Sequence, residues 1–438
     1  MAYIYRTPAG AGSSTVFTLS YWVKRAKLGA IQTLYSAGTA NKGKFVFNAE
    51  DQLEISDDGS DVVKTSRLFR DVGAWYHIVL AYDTGASGTD KVKIYVNGVQ
   101  ETAYATDNRS TAGSLNYVNA AEPQNIGADT SNPFYGEMSH VQMVDGAQLA
   151  PTEFGEVDAT SGIWKIKTTA YATPGTNGFY LKMEDRTNLD LDSSSNAFTW
   201  TTSGDLTATY DSPSNNFCTG NAGAQQIPTA MTYSNGNLKI AATAAYWNSA
   251  YATMGYGAGK WYWETKCAAV GTHTATGITA SNQTTGTNTA FCEATTGDNG
   301  WAYKNAAIKS WGGDSTVERS YGDTYTTGDV IGCAHDNTNG VIWWSKNGVW
   351  QDSATIEEIA AGTTTNAAYS GMTTGLIILP AVQCYGTAGW EYNFGNGYFG
   401  TTAVTSAEAD DAGYGAMEYD VPTGYYTLCS KNLATYGG

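Results

Sequence analysis

An Asn-Gly pair at positions 347 and 348 constrains this chain more than any other feature. It stands between Val341-Ile342-Trp343-Trp344-Ser345-Lys346, rich in aromatic and β-branched residues, and Val349-Trp350. A type I′ turn needs positive φ at both central residues, which Asn and Gly tolerate, so the pair specifies a two-residue β-hairpin. Upstream, Val330 to Ala334 is a short apolar run between Gly328-Asp329 and the turn-forming cluster Asp336-Asn337-Thr338-Asn339-Gly340. Residues 323–351 therefore read as a β-meander. A second pair, Asn97-Gly98, ends a run in which Val92, Ile94 and Val96 share one face and Lys91, Lys93 and Tyr95 the other.

At 438 residues the chain is long for one core, and about 150 residues per domain suggests two or three units. Thirty Tyr, thirteen Trp and fifty Gly favour short strands joined by turns over helices. The one helical candidate is 353–361, with Ile356, Ile359 and Ala360 on one side. Further strands are expected over 16–24, 45–47, 52–56 and 74–83; Leu53 and Ile55 alternate with polar neighbours as in a half-buried strand. No repeat of solenoid or propeller length recurs.

Twenty-four basic residues against 41 acidic ones give a formal charge of −17. Phosphate binding needs a basic patch and none is visible, so no nucleic-acid partner is expected. The opening MAYIYRTPAGAGSS lacks a charged segment followed by an apolar run, so secretion by a signal peptide is not expected. Nor is membrane insertion, because no apolar run approaches bilayer-spanning length. Cys218, Cys267, Cys292, Cys333, Cys384 and Cys429 include no pair at metal-knuckle spacing. They read as small buried hydrophobes in a reducing compartment rather than as disulfides.

Gly328-Asp329-Val330-Ile331-Gly332, Asp336 and Trp344-Ser345-Lys346-Asn347-Gly348-Val349 resemble the core signature of SPRY domains. GKWYWE at 259–264, Gly277-Ile278-Thr279 with Gly300-Trp301-Ala302-Tyr303, and Leu379-Pro380-Ala381-Val382 with Asn393-Phe394-Gly395 fit the same family in order. In the first half, FTLSYWVK at 17–24, WYHIVLAYD at 75–83, KIYVNGV at 93–99 and FYGEMSHVQMVDGAQLAPTEF at 134–154 resemble laminin-G-like members of the concanavalin A-like lectin and glucanase fold. The resemblance implies an all-β chain: two concanavalin A-like jelly-roll sandwiches in tandem with a short C-terminal tail. The expected divisions are a laminin-G-like sandwich over 1–208, a linker over 209–227, a SPRY-like sandwich over 228–400 and a tail over 401–438. The tail either packs on the second sandwich or reaches a neighbouring chain. In many laminin-G-like domains a strand like 179–183 and an Asp-Ser-rich turn like 190–196 precede the FTLSYWVK-like strand. Here they follow it, so 151–208 is expected to close the first sandwich with a permuted strand.

Catalytic chemistry leaves little trace. Glycosidases on this fold present carboxylates alternating along one strand; Glu50, Asp51 and Glu54 come nearest, but Asn48-Ala49 beside them reads as a turn, so a solvated hairpin tip is expected. Asp57, Asp58 and Asp61 cluster in SDDGSD, which leaves calcium as the one cofactor open, although an Asp-Gly turn explains the same residues. The histidines, His77, His140, His273 and His335, are scattered, with His77 and His335 expected to be packed or hydrogen-bonded. No G-x-S-x-G elbow or phosphate-binding glycine loop occurs. What remains is aromatic surface on loops, expected over 271–276, 280–300, 304–318 and 363–374, with Trp301, Tyr303 and Trp311 as ligand-binding candidates. Trp301 and Tyr303 also fit the family's structural pattern, which leaves Trp311 the better platform.

The combined architecture resembles structural proteins of tailed bacteriophages, tail-fibre or virion-surface proteins of marine phages in particular. That implies a non-enzymatic virion component, made in the host cytoplasm, that binds a host surface polysaccharide or other virion proteins. Such fibres are often homo-oligomers, commonly trimers, though no heptad seam appears here. Two alternatives remain from other classes: a capsid decoration or fibre-anchoring protein without glycan binding, and a polysaccharide depolymerase.

Overall fold

The computed structural model describes residues 2–39, 42–167, 169, 171–224, 230–281, 290–292, 299–312 and 318–437. The chain forms two compact units, Met1–Ala208 and Thr209–Gly438, each built mostly of β-strands.

In the first unit two sheets face each other. One has eight strands in the spatial order Tyr104–Asp107, Ser60–Thr65, Leu53–Asp57, Gly43–Phe47, Gln32–Ala37, Gln124–Ile126, Tyr3–Arg6 and Thr201–Ser203. The other has six, in the order Phe179–Leu181, Gly136–Asp145, Val16–Arg25, Trp75–Asp83, Val92–Val96 and Val99–Gln100. Period-two alternation sends Phe17, Leu19, Tyr21 and Val23 inward against Phe45, Phe47, Leu53 and Ile55 of the facing sheet. Burying each such side chain contributes about 1.5–3 kcal/mol. Phe179–Leu181 hydrogen-bonds along Gly136–Asp145, with Leu181 opposite Val141, and buries Phe179 and Leu181 in the same core.

The outer face of the six-stranded sheet is roofed by a hairpin, Gly155–Val157 with Trp164–Ile166. Its Trp164 ring lies so close to the Asn97-Gly98 turn that a Cβ on Gly98 would meet it at 2.7 Å. Gly98 is needed twice, for its φ of +81° and for this approach.

The second unit repeats the plan with one change. Its larger sheet runs Met231–Ser234, Lys239–Ala242, Gly389–Asn393, Lys260–Ala269, Val330–Asp336, Val341–Lys346 and Val349–Trp350, with Tyr426–Thr427 pairing in parallel to Lys260–Ala269. From Lys239–Ala242 onward, this order matches that of the six-stranded sheet in the first unit. The end strand differs in its place along the chain: Phe179–Leu181 comes after its neighbours, whereas Lys239–Ala242 comes before them. The two sheets are therefore related by circular permutation. The facing sheet runs Asn248–Tyr251, Ile378–Cys384, Thr274–Ala280, Gly300–Lys304, Ile308–Trp311 and Arg319–Ser320.

Several expectations change. The stretch read as a linker is packed: Phe217 and Cys218 are buried, Phe217 bridges Cys429, and Asp211 Oδ1 accepts the Phe217 amide at 3.2 Å. Asp, Ser and Asn there mark irregular backbone whose groups are satisfied locally, not a free tether. Residues 225–229, which include the linker's end and the expected start of the SPRY-like unit, lie outside the described residues. The C-terminal segment lies on the second unit. Met417 and Tyr425 join Tyr262, Trp343 and Ile359 in a core on the outer face of the larger sheet, and Ser430–Tyr436 forms a short helix.

The helix expected over 353–361 is confined to Ile356–Ala361. Thr355 caps it by accepting the Glu358 amide at 3.2 Å while Glu358 accepts the Thr355 amide at 3.0 Å, and Gly362 ends it at φ +73°. The loop expected over 304–318 contains strand Ile308–Trp311.

Candidate functional site

Groups that could carry covalent chemistry are turned to structural use. The His77 ring lies between the indoles of Trp22 and Trp164, with ring centroids 4.7 and 5.8 Å away. Trp164 Nε1 donates to His77 Nδ1 at 2.9 Å. An indole nitrogen only donates, so the His77 proton sits on Nε2 and is given to Ser20 Oγ, 2.9 Å away. In that tautomer His77 cannot take the Ser20 proton. Burial, with His140 nearby, pushes its pKa down to about 3. His335 is buried too, with Nδ1 2.8 Å from Tyr256 Oη, and burial pushes its pKa down to about 3 as well. All six cysteines are free thiols and buried.

The acidic candidates disperse. Asp58 pairs with Lys42 at 3.0 Å and Asp61 with Lys64 at 2.9 Å, while Asp57 Oδ2 accepts the Asn116 amide. Asp58-Gly59 is a hairpin turn with φ of +47° and +82°. Among the described residues no three His, Cys, Asp or Glu side chains converge as metal ligands would. Asp51, expected at a solvated tip, is buried and pairs with Arg25 at 3.0 Å and Arg70 at 3.1 Å.

The three aromatic candidates separate by depth. Trp301 and Tyr303 are 3% and 0% exposed and belong to the core of the second unit. Tyr303 packs against Tyr321, Tyr325 and Trp344, and its hydroxyl donates to the Asp323 carbonyl. Neither offers a face to a ligand. Their strand is central in its sheet, and the inward position there is core. Trp311 is 39% exposed. It sits opposite Trp301 in register, its ring parallel to the buried one within 4° and 6.4 Å away. Trp311 is thus an open indole held on a rigid base.

A second aromatic surface was not legible in the sequence. Cys384 pairs with Asn248 on one side and Thr274 on the other. One step further along the register puts Trp247, Tyr385 and His273 in a single row just past the ends of their strands. Ring centroids are 4.3 Å apart for Trp247 and His273, and 5.1 Å for Trp247 and Tyr385. Gly271 lets the loops meet, since a Cβ there would lie 2.1 Å from the Tyr385 carbonyl oxygen. Trp247 and Tyr385 are half-buried and His273 is exposed. Of this row, only His273 fell in a stretch read as a binding loop. Most of the loop expected over 280–300, and 313–317, lie outside the described residues.

Comparison with known proteins agrees with the two sandwiches. Residues 3–152 match the concanavalin A-like lectin/glucanases superfamily, in its Laminin_G_3 family, and residues 260–397 match the SPRY domain family. Among solved structures the chain is similar to the SPRY domain of human HERC1, at 17% identity over 40% of this chain and 96% of that one, with a TM-score of 0.30. It is also similar to another human SPRY domain, at 13% identity over 37% of this chain and 94% of that one, with a TM-score of 0.26. No curated protein matches the chain. The protein thus carries a laminin-G-like domain of the concanavalin A-like superfamily followed by a SPRY domain.

Proposed function

We propose that this chain is a non-catalytic surface component of a tailed-phage virion, a tail fibre or surface adhesin, that binds host glycan or another virion protein through its second module. The observation that carries the reading is the set of aromatic rings held open on strands: Trp311 on its buried partner, and the row of Trp247, Tyr385 and His273. An indole face packs against sugar C–H groups or a partner's side chain, and a rigid frame lowers the entropic cost of binding. The tautomer of His77, the inert buried thiols and the lysine-paired aspartates support the non-catalytic part. The virion placement and a homo-oligomeric, trimeric state rest on the sequence resemblance.

The test is a glycan array probed with the full chain and with Trp311→Ala and Tyr385→Ala variants. Binding that weakens in either variant while its thermal midpoint holds supports the reading. Binding unchanged in both variants, or absent to every glycan and every virion protein, overturns it.

A further inference from the structure

The first module carries a cleft that none of the features above uses. Two segments form its walls, 186–190, just after the Phe179–Leu181 strand, and 202–206, at and beyond the Thr201–Ser203 strand. Both walls are fixed by local hydrogen bonds. Asp185 Oδ1 accepts the Thr187 amide at 2.9 Å and its hydroxyl at 2.7 Å. Behind this wall, Asp192 accepts the amides of Tyr180, Ser194 and Phe198 at 2.9–3.0 Å. The opposite wall is tied to the sheet by the pairing of Thr202 with Ile4.

The opening holds about 350 Å³, at the small end of the ~300–1,000 Å³ range of ligand sites. Arg186, Asn188, Asp190, Thr202 and Asp205 line it, with Leu206 at its side. That is one cation, two carboxylates, an amide and a hydroxyl. The ligand that satisfies such a set is small and carries several groups that both donate and accept hydrogen bonds. The net negative lining disfavours a second carboxylate or a phosphate, and the few apolar residues give an acyl chain nothing to bury against. We infer that this cleft is a second saccharide site, taking a neutral or amino-bearing sugar ring. It rests on the glycan-binding reading but occupies a different module from Trp311.

The test uses the isotope-labelled full chain titrated separately with glucose, galactose, mannose and N-acetylglucosamine. At least one sugar is expected to move the amide signals of 186–190 and 202–206. The Asp190→Ala/Asp205→Ala double variant is expected to weaken that response by about tenfold or more, since each change removes charge-assisted acceptors. Its thermal midpoint should be unchanged, and Trp311→Ala should leave the response intact. Sugar-induced shifts confined to the surroundings of Trp311, or an undiminished response in the double variant, overturn the cleft while leaving the wider reading standing. If none of the four sugars moves any signal, the cleft is overturned, and a silent glycan array would remove the wider reading with it.

Discussion

Asn97 and Asn347 hold their hairpins by the same pair of hydrogen bonds. The Asn97 side-chain oxygen accepts the His77 amide at 2.8 Å while the Asn97 amide donates to the His77 carbonyl at 2.8 Å. Asn347 does the same with Val330, at 2.8 and 2.7 Å. In each module the glycine that follows lies under an aromatic ring from a later segment, Trp164 over Gly98 and Tyr419 over Gly348.

Replacing either glycine with alanine should therefore cost more than its φ alone. The new Cβ would lie 2.7 Å from Trp164 or 2.6 Å from Tyr419, at φ of +81° or +80°. Left-handed backbone costs about 1–2 kcal/mol, and overpacking typically about 1–3 more. Gly59→Ala, at φ +82° with nothing within 4 Å, isolates the first part. Denaturant unfolding should show Gly98→Ala and Gly348→Ala each losing clearly more than Gly59→Ala. Equal losses would deny the ring contact any energetic role.

The hairpins were legible because positive φ is a local demand written in two adjacent letters. Trp164 and Tyr419 were not, because their place depends on chain that returns from far along the sequence. Trp301, Tyr303 and Trp311 look alike in sequence, and their fates differ only by how far the facing sheet extends over them. The row of Trp247, Tyr385 and His273 needs the register of three strands, which no short pattern encodes. Asp51 was misread for a similar reason: its hairpin position is local, but the Arg25 it pairs with lies on a different strand.

That buried pair gives a second prediction. Arg25 stacks on Phe47 at 4.3 Å and gives one guanidinium nitrogen to Asp51. Burial pushes the Asp51 pKa up, but the Gly29 amide, Arg70 and Arg25 together hold it below its ordinary value. Its stabilising contribution is therefore present above the usual carboxylate range and is lost as pH falls through the lowered value. Asp51→Ala should cost about 3–5 kcal/mol, because it strands a buried cation, whereas Arg25→Met with Asp51→Leu should be far milder. Chemical denaturation of the three chains compares them directly.

Glu264 should act with the opposite sign in the second module. Its carboxylate accepts the Glu418 and Tyr419 amides at 2.8 and 2.9 Å, and the Tyr262 hydroxyl at 3.1 Å, clasping the C-terminal segment. Burial outweighs these donors and pushes its pKa up from 4.5 to about 7. Stability from this group is thus complete below about pH 4.5 and is lost as pH rises through about 7, a change of about 3 kcal/mol. Glu264→Gln keeps an acceptor and removes the charge. Calorimetry from pH 5 to 8 should find the second transition falling in the wild type and flatter in this variant.

Trp301 and Trp311 should split stability from binding. Trp301→Ala removes a core ring and should cost about 3–5 kcal/mol. Trp311→Ala, at an open surface, should cost well under that and act on ligand binding instead. A thermal shift as large for Trp311→Ala as for Trp301→Ala would place both rings in the core's energetics.

The central claim is that two sandwich modules present rigid surface groups to a ligand without transforming it. Incubating the full chain with each polysaccharide that it binds on an array, and assaying new reducing ends, tests this most directly. The account predicts retained binding and no product over a long incubation. Accumulating reducing ends that scale with protein concentration would contradict it.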